Sequence, residues 1–186
     1  MLRILNLFVL VILFSCTNTS SPRNRNSEEP DTLIGKPIQF PRTLMQVKSG
    51  GLVNADSAIN IIEGSNYMVS IIDATCLKCI YYRINALDSL FRTNLPPDVG
   101  NVFVINIEGR AIPYFFRELY PAINAQGILL LDTAFVFERS NSILSSNINH
   151  RTFMVDYHGK IALYGDPLYR PQSLEQYLEQ YINSLN

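Results

Sequence analysis

The sequence contains two cysteines separated by two residues, and thiol side chains at this spacing are able to carry out chemistry. Cys76 and Cys79 follow a short apolar run and stand at the start of a segment with helical periodicity. A thiol in the first turn of a helix faces unpaired backbone N–H groups and the positive end of the helix dipole, which lower its pKa. The second thiol can then resolve a mixed disulfide formed on the first. The spacing therefore predicts thiol–disulfide exchange.

A structural disulfide, or a pair of inert thiols, is the alternative interpretation of Cys76 and Cys79. A bond between them would close a very short loop. Closing a short loop removes little conformational entropy from the unfolded chain, so it stabilises little. This favours the redox interpretation.

The third cysteine, Cys16, ends a segment typical of export. Arg3 is followed by an almost wholly apolar stretch over residues 4–14, which is too short to span a bilayer as a helix. The pattern predicts a bacterial signal peptide with a lipobox over residues 1–16 and lipidation of Cys16. Phe14 is larger than the residues common before such a cysteine, so cleavage by a general signal peptidase and retention as an anchor remain alternatives.

Residues 17–32 are rich in Ser, Thr, Asn, Pro and charged residues and contain no large apolar side chain. Such a segment cannot bury enough surface to fold, so we expect a flexible tether. Its root-mean-square span would be on the order of 20 Å, enough to hold a domain just off a lipid surface. Together with Cys16, the tether predicts a lipid-anchored protein of the bacterial cell envelope that faces the periplasm.

Residues 33–186 are long enough for one domain with a sizeable core and too short for two comfortable ones. The formal net charge of the whole chain is −1, and the sequence has no cluster of basic residues. Nucleic-acid binding through a phosphate footprint is therefore not expected.

The elements of this domain follow from apolar periodicities that alternate in type. The predicted strands are residues 67–73, 101–107 and 127–131, with a hairpin formed by residues 152–156 and 160–164. The predicted helices are one whose apolar stripe runs from Leu77 to Phe91 and which stops before Pro96, one over residues 111–120, and a last one that Ser173 opens. Residues 133–149 are compatible with one short helix and a loop. This order predicts an α/β fold in which helices cover both faces of a central mixed β-sheet.

Three features resemble thioredoxin-like proteins: the order of the elements, the cysteine pair at a strand-to-helix junction, and the late hairpin followed by Gly165-Asp166-Pro167. The exported TlpA-like disulfide reductases are the most similar group. Over residues 33–186 the resemblance implies a thioredoxin-like three-layer sandwich, with Cys76 as attacking thiol and Cys79 as resolving thiol. It also implies client protein disulfides as substrates and no cofactor. Because the periplasm is oxidising, a membrane electron donor is expected.

The sequence departs from the family at several positions near the dithiol. His150 occupies the position of the usual cis-proline, so we expect a trans peptide there. Ser70 occupies the position of the buried acid that accepts protons in many thioredoxins. Asp73 is closer to the cysteines but should point from another face of a regular strand.

The residues next to the dithiol also differ from the family. Thr75 and Lys78 belong to segments that replace the usual tryptophan-rich lead-in and the Gly-Pro between the cysteines. Lys78 would favour a thiolate unless it points to solvent. We place Thr75, Lys78, His150 and Arg151 beside the dithiol as candidate site residues.

A metal site is the second hypothesis. Cys76, Cys79 and His150 could bind Cu(I), as in thioredoxin-fold copper-delivery proteins, although the cysteines of those proteins are usually one residue further apart. Soft thiolate ligands select Cu(I) or Zn²⁺. His150 could also favour the thiolate as an imidazolium, or be an ordinary polar residue with a hydrogen bond. This hypothesis predicts a copper-binding metallochaperone.

Overall fold

The computed structural model describes residues 33–62, 64–74, 76–142 and 147–184. The predicted signal peptide with Cys16 and the predicted tether lie outside the described residues, as does Thr75. Among the described residues, no helix combines the length and the apolar content that crossing a bilayer requires.

One sheet of seven strands runs through the described part of the chain. Its strands are β1 (Met45–Lys48), β2 (Gly51–Asn54), β3 (Tyr67–Asp73), β4 (Gly100–Asn106), β5 (Ile128–Asp132), β6 (Thr152–Val155) and β7 (Ile161–Tyr164). Their order across the sheet is β2-β1-β5-β4-β3-β6-β7. The pairs β3–β4 and β4–β5 are parallel and the other pairs are antiparallel. The expectation of a mixed sheet is confirmed.

The helices that connect these strands differ in length and regularity. They are α1 (Asp56–Ile62), α2 (Leu77–Asn94), α4 (Val136–Ser140), a 3₁₀ helix (Ile148–Arg151) and α5 (Gln172–Ser184), with a composite helix α3 over residues 109–122. Helix α3 passes from 3₁₀ through α and π to 3₁₀ geometry. Pro113 and Pro121 explain this irregularity in part, because neither can donate a backbone hydrogen bond.

Two apolar clusters, one on each face of the sheet, hold the helices in place. Along β3, Met68 and Ile72 belong to the cluster that includes buried residues of α2, α3 and α5. Val69 and Ile71, which alternate with them, belong to the cluster that includes residues of α1 and α4. A strand that is buried on both faces has a nearly continuous run of apolar residues in its sequence. Residues 67–73 were predicted as a strand from such a run. Helices therefore cover both faces.

The structure adds elements that the sequence analysis did not predict. Strands β1 and β2 form a hairpin in which Ser49 and Gly50 both have positive φ, 52° and 76°. Such a turn matches the twist of two adjacent strands. Each strand has only four residues and is partly exposed, so it lacks a clear apolar periodicity. Helix α1, with seven residues, is also too short to show one.

Candidate redox site

The two cysteines form a disulfide at the start of α2. The Cys76–Cys79 bond has an S–S distance of 2.04 Å and a Cα–Cα distance of 5.2 Å. Cys76 is the N-cap residue of α2, and the Cys79 backbone N–H donates to the Cys76 carbonyl over 2.9 Å. Both residues are exposed. The pair thus combines solvent access with the positive end of an 18-residue helix.

The chain reaches the dithiol at the end of the sheet where the carboxyl ends of the parallel strands lie. The last residues of β3, β4 and β5 are Asp73, Asn106 and Asp132, and they are neighbours in register. Open sheets of this kind commonly bind ligands at the carboxyl ends of their strands. A row of three polar side chains therefore lies at the edge from which the chain continues to Cys76.

Ser70 is buried on the same side of β3 as Met68 and Ile72. Its hydroxyl oxygen lies 3.4 Å from the Thr152 hydroxyl oxygen, and both residues are at most 1% exposed. This neutral pair occupies the position where the family resemblance would place an acid. A hydroxyl cannot accept a proton near neutral pH as a carboxylate can.

Asp73 points to the opposite face, as strand alternation predicted. Its Oδ2 accepts a hydrogen bond of 2.7 Å from Nη1 of Arg151. Nη2 of Arg151 lies 3.8 Å from Oε1 of Glu138, and Oε2 of Glu138 accepts from the Asn106 amide over 3.1 Å. The guanidinium of Arg151 therefore lies between two carboxylates. We call Asp73, Arg151 and Glu138 the charge bridge.

Glu138 is the member of the charge bridge that the sequence analysis missed. It is 8% exposed, and its burial raises its pKa while the Arg151 guanidinium opposes that rise. A buried carboxyl with a perturbed pKa near a reactive group is a candidate site residue. The only signal in the sequence is one acid directly after the run Phe135-Val136-Phe137, inside the segment whose structure was left open.

His150 lies in the 3₁₀ helix before β6, and its ring is edge-on to Tyr164 with centroids 4.7 Å apart. Its Nε2 is 3.1 Å from the Asn147 amide nitrogen. No cis peptide bond occurs among the described residues. The same residues contain no group of three or more His, Cys, Asp and Glu side chains that could hold a metal ion.

Lys78 and Arg151 are the remaining predicted site residues in the described part of the chain. Lys78 is in the first turn of α2, but its side chain is outside what the structure describes. Arg151 lies beside the chain that leads to the dithiol, through its bond to Asp73.

A cleft of about 320 Å³ opens beside the charge bridge. Its lining includes Asp73 and Ala74 from the end of β3, Asn106 from the end of β4, and Phe135 from the loop after β5. Phe135 has a φ of 54° and is 40% exposed. A bulky residue held in the left-handed region is strained, and such strain often accompanies function. The cleft gives solvent access to the surroundings of Asp73.

Searches for related proteins give a match at the level of three-dimensional structure. No family model matches the sequence, and no curated protein matches it.

Several solved structures are similar to this chain. A candidate thiol:disulfide interchange protein DsbE from Chlorobium tepidum is 16% identical with a TM-score of 0.52, over 82% of this chain and 98% of that one. The thioredoxin domain of a thiol-disulfide oxidoreductase from Bacteroides vulgatus is 17% identical with a TM-score of 0.51, over 78% and 97%. An uncharacterized thioredoxin-like protein from Porphyromonas gingivalis is 18% identical with a TM-score of 0.51, over 78% and 95%.

These similarities span most of each chain but are low in sequence identity, so they establish the fold. They do not distinguish the TlpA-like group from other thioredoxin-like proteins. The helix arrangement and the mixed sheet agree with the fold that the sequence resemblance implied. The protein has a thioredoxin-like α/β fold.

Proposed function

We propose that this protein is a thiol–disulfide oxidoreductase that acts on protein disulfides through Cys76 and Cys79. The observation that carries the proposal is an exposed disulfide at the N-terminus of α2 in a thioredoxin-like fold. An exposed sulfur is open to a protein substrate, and the helix terminus favours the thiolate that must attack it.

The exchange proceeds in two steps. The Cys76 thiolate attacks one sulfur of the client disulfide, so a mixed disulfide forms and the other client sulfur leaves as a thiolate. The Cys79 thiolate then attacks the Cys76 sulfur, which breaks the mixed disulfide and releases the second client sulfur. The client gains two electrons and the protein is left with the Cys76–Cys79 disulfide. A second thiol donor must return two electrons to complete the cycle.

We further propose that this chemistry takes place in the periplasm. The apolar segment that ends at Cys16 and the polar residues 17–32 support a lipid-anchored protein that faces the periplasm. Structural disulfides form in that compartment, so client disulfides are available there. A dithiol working in that compartment depends on a membrane protein that supplies electrons, because the surroundings alone would keep it oxidised.

A trapping experiment tests the function. The full chain with Cys16→Ser is prepared with Cys79→Ser, with Cys76→Ser, and with both substitutions, and is mixed with oxidised insulin. We expect Cys79→Ser to accumulate a mixed disulfide with insulin, because the resolving thiol is gone. The double variant should form none. Equal accumulation with Cys76→Ser would show that the two roles are assigned wrongly.

The reduction potential then gives the direction of electron flow. A potential near that of thioredoxin, about −270 mV, would support a reductase. A value well above this would point to an oxidant or isomerase. Failure of the parent chain to exchange with insulin or with dithiothreitol would refute the proposed function.

A further inference from the structure

The charge bridge joins three parts of the chain at one end of the sheet. Asp73 ends β3, Glu138 lies in α4, and Arg151 ends the 3₁₀ helix before β6. The Arg151 and Glu138 side chains are 14% and 10% exposed, and that of Asp73 is 34% exposed. Charges shielded from water to this degree interact more strongly than charges on an open surface.

Three charged groups and one amide act on Glu138 from neighbouring elements. Asp73 on β3 and Asp132 on β5 are negative, and Arg151 is positive. The Asn106 amide on β4 donates to its carboxylate. Asp132 is engaged with the backbone, because it accepts from the Phe137 N–H over 2.7 Å. Arg151 is thus the cation that opposes the two carboxylates, Asp73 and Asp132, in their effect on Glu138.

The dithiol is close to this cluster along the chain. Cys76 is three positions after Asp73 in the chain, so their Cα atoms are at most about 11 Å apart. Two charges separated by about 11 Å still change each other's energy when the effective dielectric constant is about 20. The Arg151 guanidinium, which is hydrogen-bonded to Asp73, is therefore a charge that can act on a thiolate formed at Cys76.

We propose that Arg151 is a positioning residue whose charge, held between Asp73 and Glu138, favours the Cys76 thiolate and so raises the reduction potential of the dithiol. The inference rests on the proposed function only in taking Cys76 and Cys79 as the pair that cycles. Reduction adds two electrons and one proton to the disulfide, giving a Cys76 thiolate and a Cys79 thiol. A nearby positive charge stabilises that product and has little effect on the neutral disulfide.

Neutralising Arg151 and neutralising Glu138 should shift the reduction equilibrium in opposite directions. Arg151→Gln removes the cation and leaves Asp73 and Glu138 facing each other, which disfavours the thiolate. Glu138→Gln removes a carboxylate and leaves the guanidinium less compensated, which favours it. If Arg151 and Glu138 served only to hold the fold together, the two substitutions would not shift the reduction equilibrium in opposite directions.

The experiment equilibrates the full chain, with Cys16→Ser throughout, in mixtures of reduced and oxidised dithiothreitol at pH 7. We expect Arg151→Gln to lower the equilibrium constant for reduction about threefold to tenfold, and Glu138→Gln to raise it by a similar factor. A tenfold change corresponds to about 30 mV for a two-electron couple. Arg151→Lys, which keeps the charge, should stay within about twofold of the parent. Glu175→Gln is the matched control, because Glu175 is an exposed acid on α5.

Shifts of the same sign in both variants, or no shift in folded variants, would overturn the inference. Urea unfolding shows whether each variant is folded. If Arg151→Gln does not fold, Asp73→Asn replaces it and must shift the constant in the same direction as Glu138→Gln. The proposed function fails separately, when the parent equilibrates with dithiothreitol but its Cys79→Ser variant forms no mixed disulfide with insulin.

Discussion

Glu138 is a buried carboxyl group whose ionisation is opposed by its surroundings. Desolvation is the largest cause of its raised pKa, and the neighbouring Asp73 and Asp132 add to the rise. Arg151 and the Asn106 amide act in the opposite direction. The folded protein therefore binds the Glu138 proton more tightly than the unfolded chain does.

A pH-dependent stability difference follows from that raised pKa. The protonated carboxyl contributes stability that is fully present below the ordinary glutamate pKa of 4.5 and is lost as pH rises through the higher pKa of the folded state. We expect the free energy of unfolding of the parent, minus that of Glu138→Gln, to decrease as pH is raised from 4 to 7. Urea unfolding at each pH measures this difference.

The control for this pH series is Glu175→Gln, whose difference from the parent should stay nearly constant because Glu175 is exposed. A difference that grows with pH for Glu138→Gln would show that the Arg151 charge outweighs desolvation. In that case the pKa of Glu138 would lie below its ordinary value.

Single residues could be predicted where type and spacing carry the information. Cys76 and Cys79 are two residues apart in the sequence, so their pairing could be predicted. The face to which Asp73 points followed from strand alternation. The contact between Glu138 and Arg151 could not be predicted, because it depends on the docking of α4 against the sheet. Sequence reasoning supplied no register between such distant segments.

Helix α2 is joined to the loop between β7 and α5 by an ion pair. Arg83 donates to Asp166, and the Arg83 guanidinium also lies 5.5 Å from the centre of the Tyr169 ring. The Asp166 side chain is 0% exposed and that of Arg83 is 17% exposed. This contact fixes the C-terminal helix relative to the helix that carries the dithiol.

Breaking that ion pair should destabilise the protein strongly. Arg83→Gln leaves the Asp166 carboxylate buried without its cation, and we expect a loss of about 3 kcal/mol in the free energy of unfolding. Arg92→Gln is the matched control on the same helix. Its partner Asp88 is also buried but keeps hydrogen bonds from Asn101, Gln126 and Gly127.

The Arg92→Gln loss should be at most about 1 kcal/mol, since the Arg92 side chain is 47% exposed. Urea unfolding at pH 7 measures both variants. Equal losses would mean that the Arg83 contact with Asp166 has no special role in docking α5.

The predictability of whole helices and strands depended on their length and burial. Strand β3 was predicted at its observed bounds, and α2 was predicted to stop before Pro96, as it does. Both are long and have a complete apolar face. The β1–β2 hairpin and α1 were missed because local sequence contributes little to them, and their position is fixed by pairing with β5 and by packing on the sheet.

Across the whole molecule, the burial of the strands decreases from the centre of the sheet to its edge. Strand β3 has six buried residues of seven and is paired on both sides by β4 and β6. Strand β2 has no buried residue and, among the strands that the structure describes, pairs only with β1. Local opening costs little where few apolar contacts are lost.

Hydrogen exchange should report this gradient. We expect the β3 and β4 amides to exchange only through global unfolding, with the largest free energies of opening in the molecule. The β2 amides should exchange through a local opening of lower free energy. Mass spectrometry of exchanged peptides measures both, and β2 protection equal to that of β3 would contradict the expectation.

Because both cysteine residues are exposed, solvent access alone does not select which of their sulfurs would carry a client. A thiolate that attacks the Cys79 sulfur expels Cys76, and one that attacks the Cys76 sulfur expels Cys79. If one sulfur were shielded, access alone would select the route. Here access permits both routes, so the choice passes to leaving-group acidity. Every charge near the start of α2 then affects the regiochemistry of exchange as well as its equilibrium.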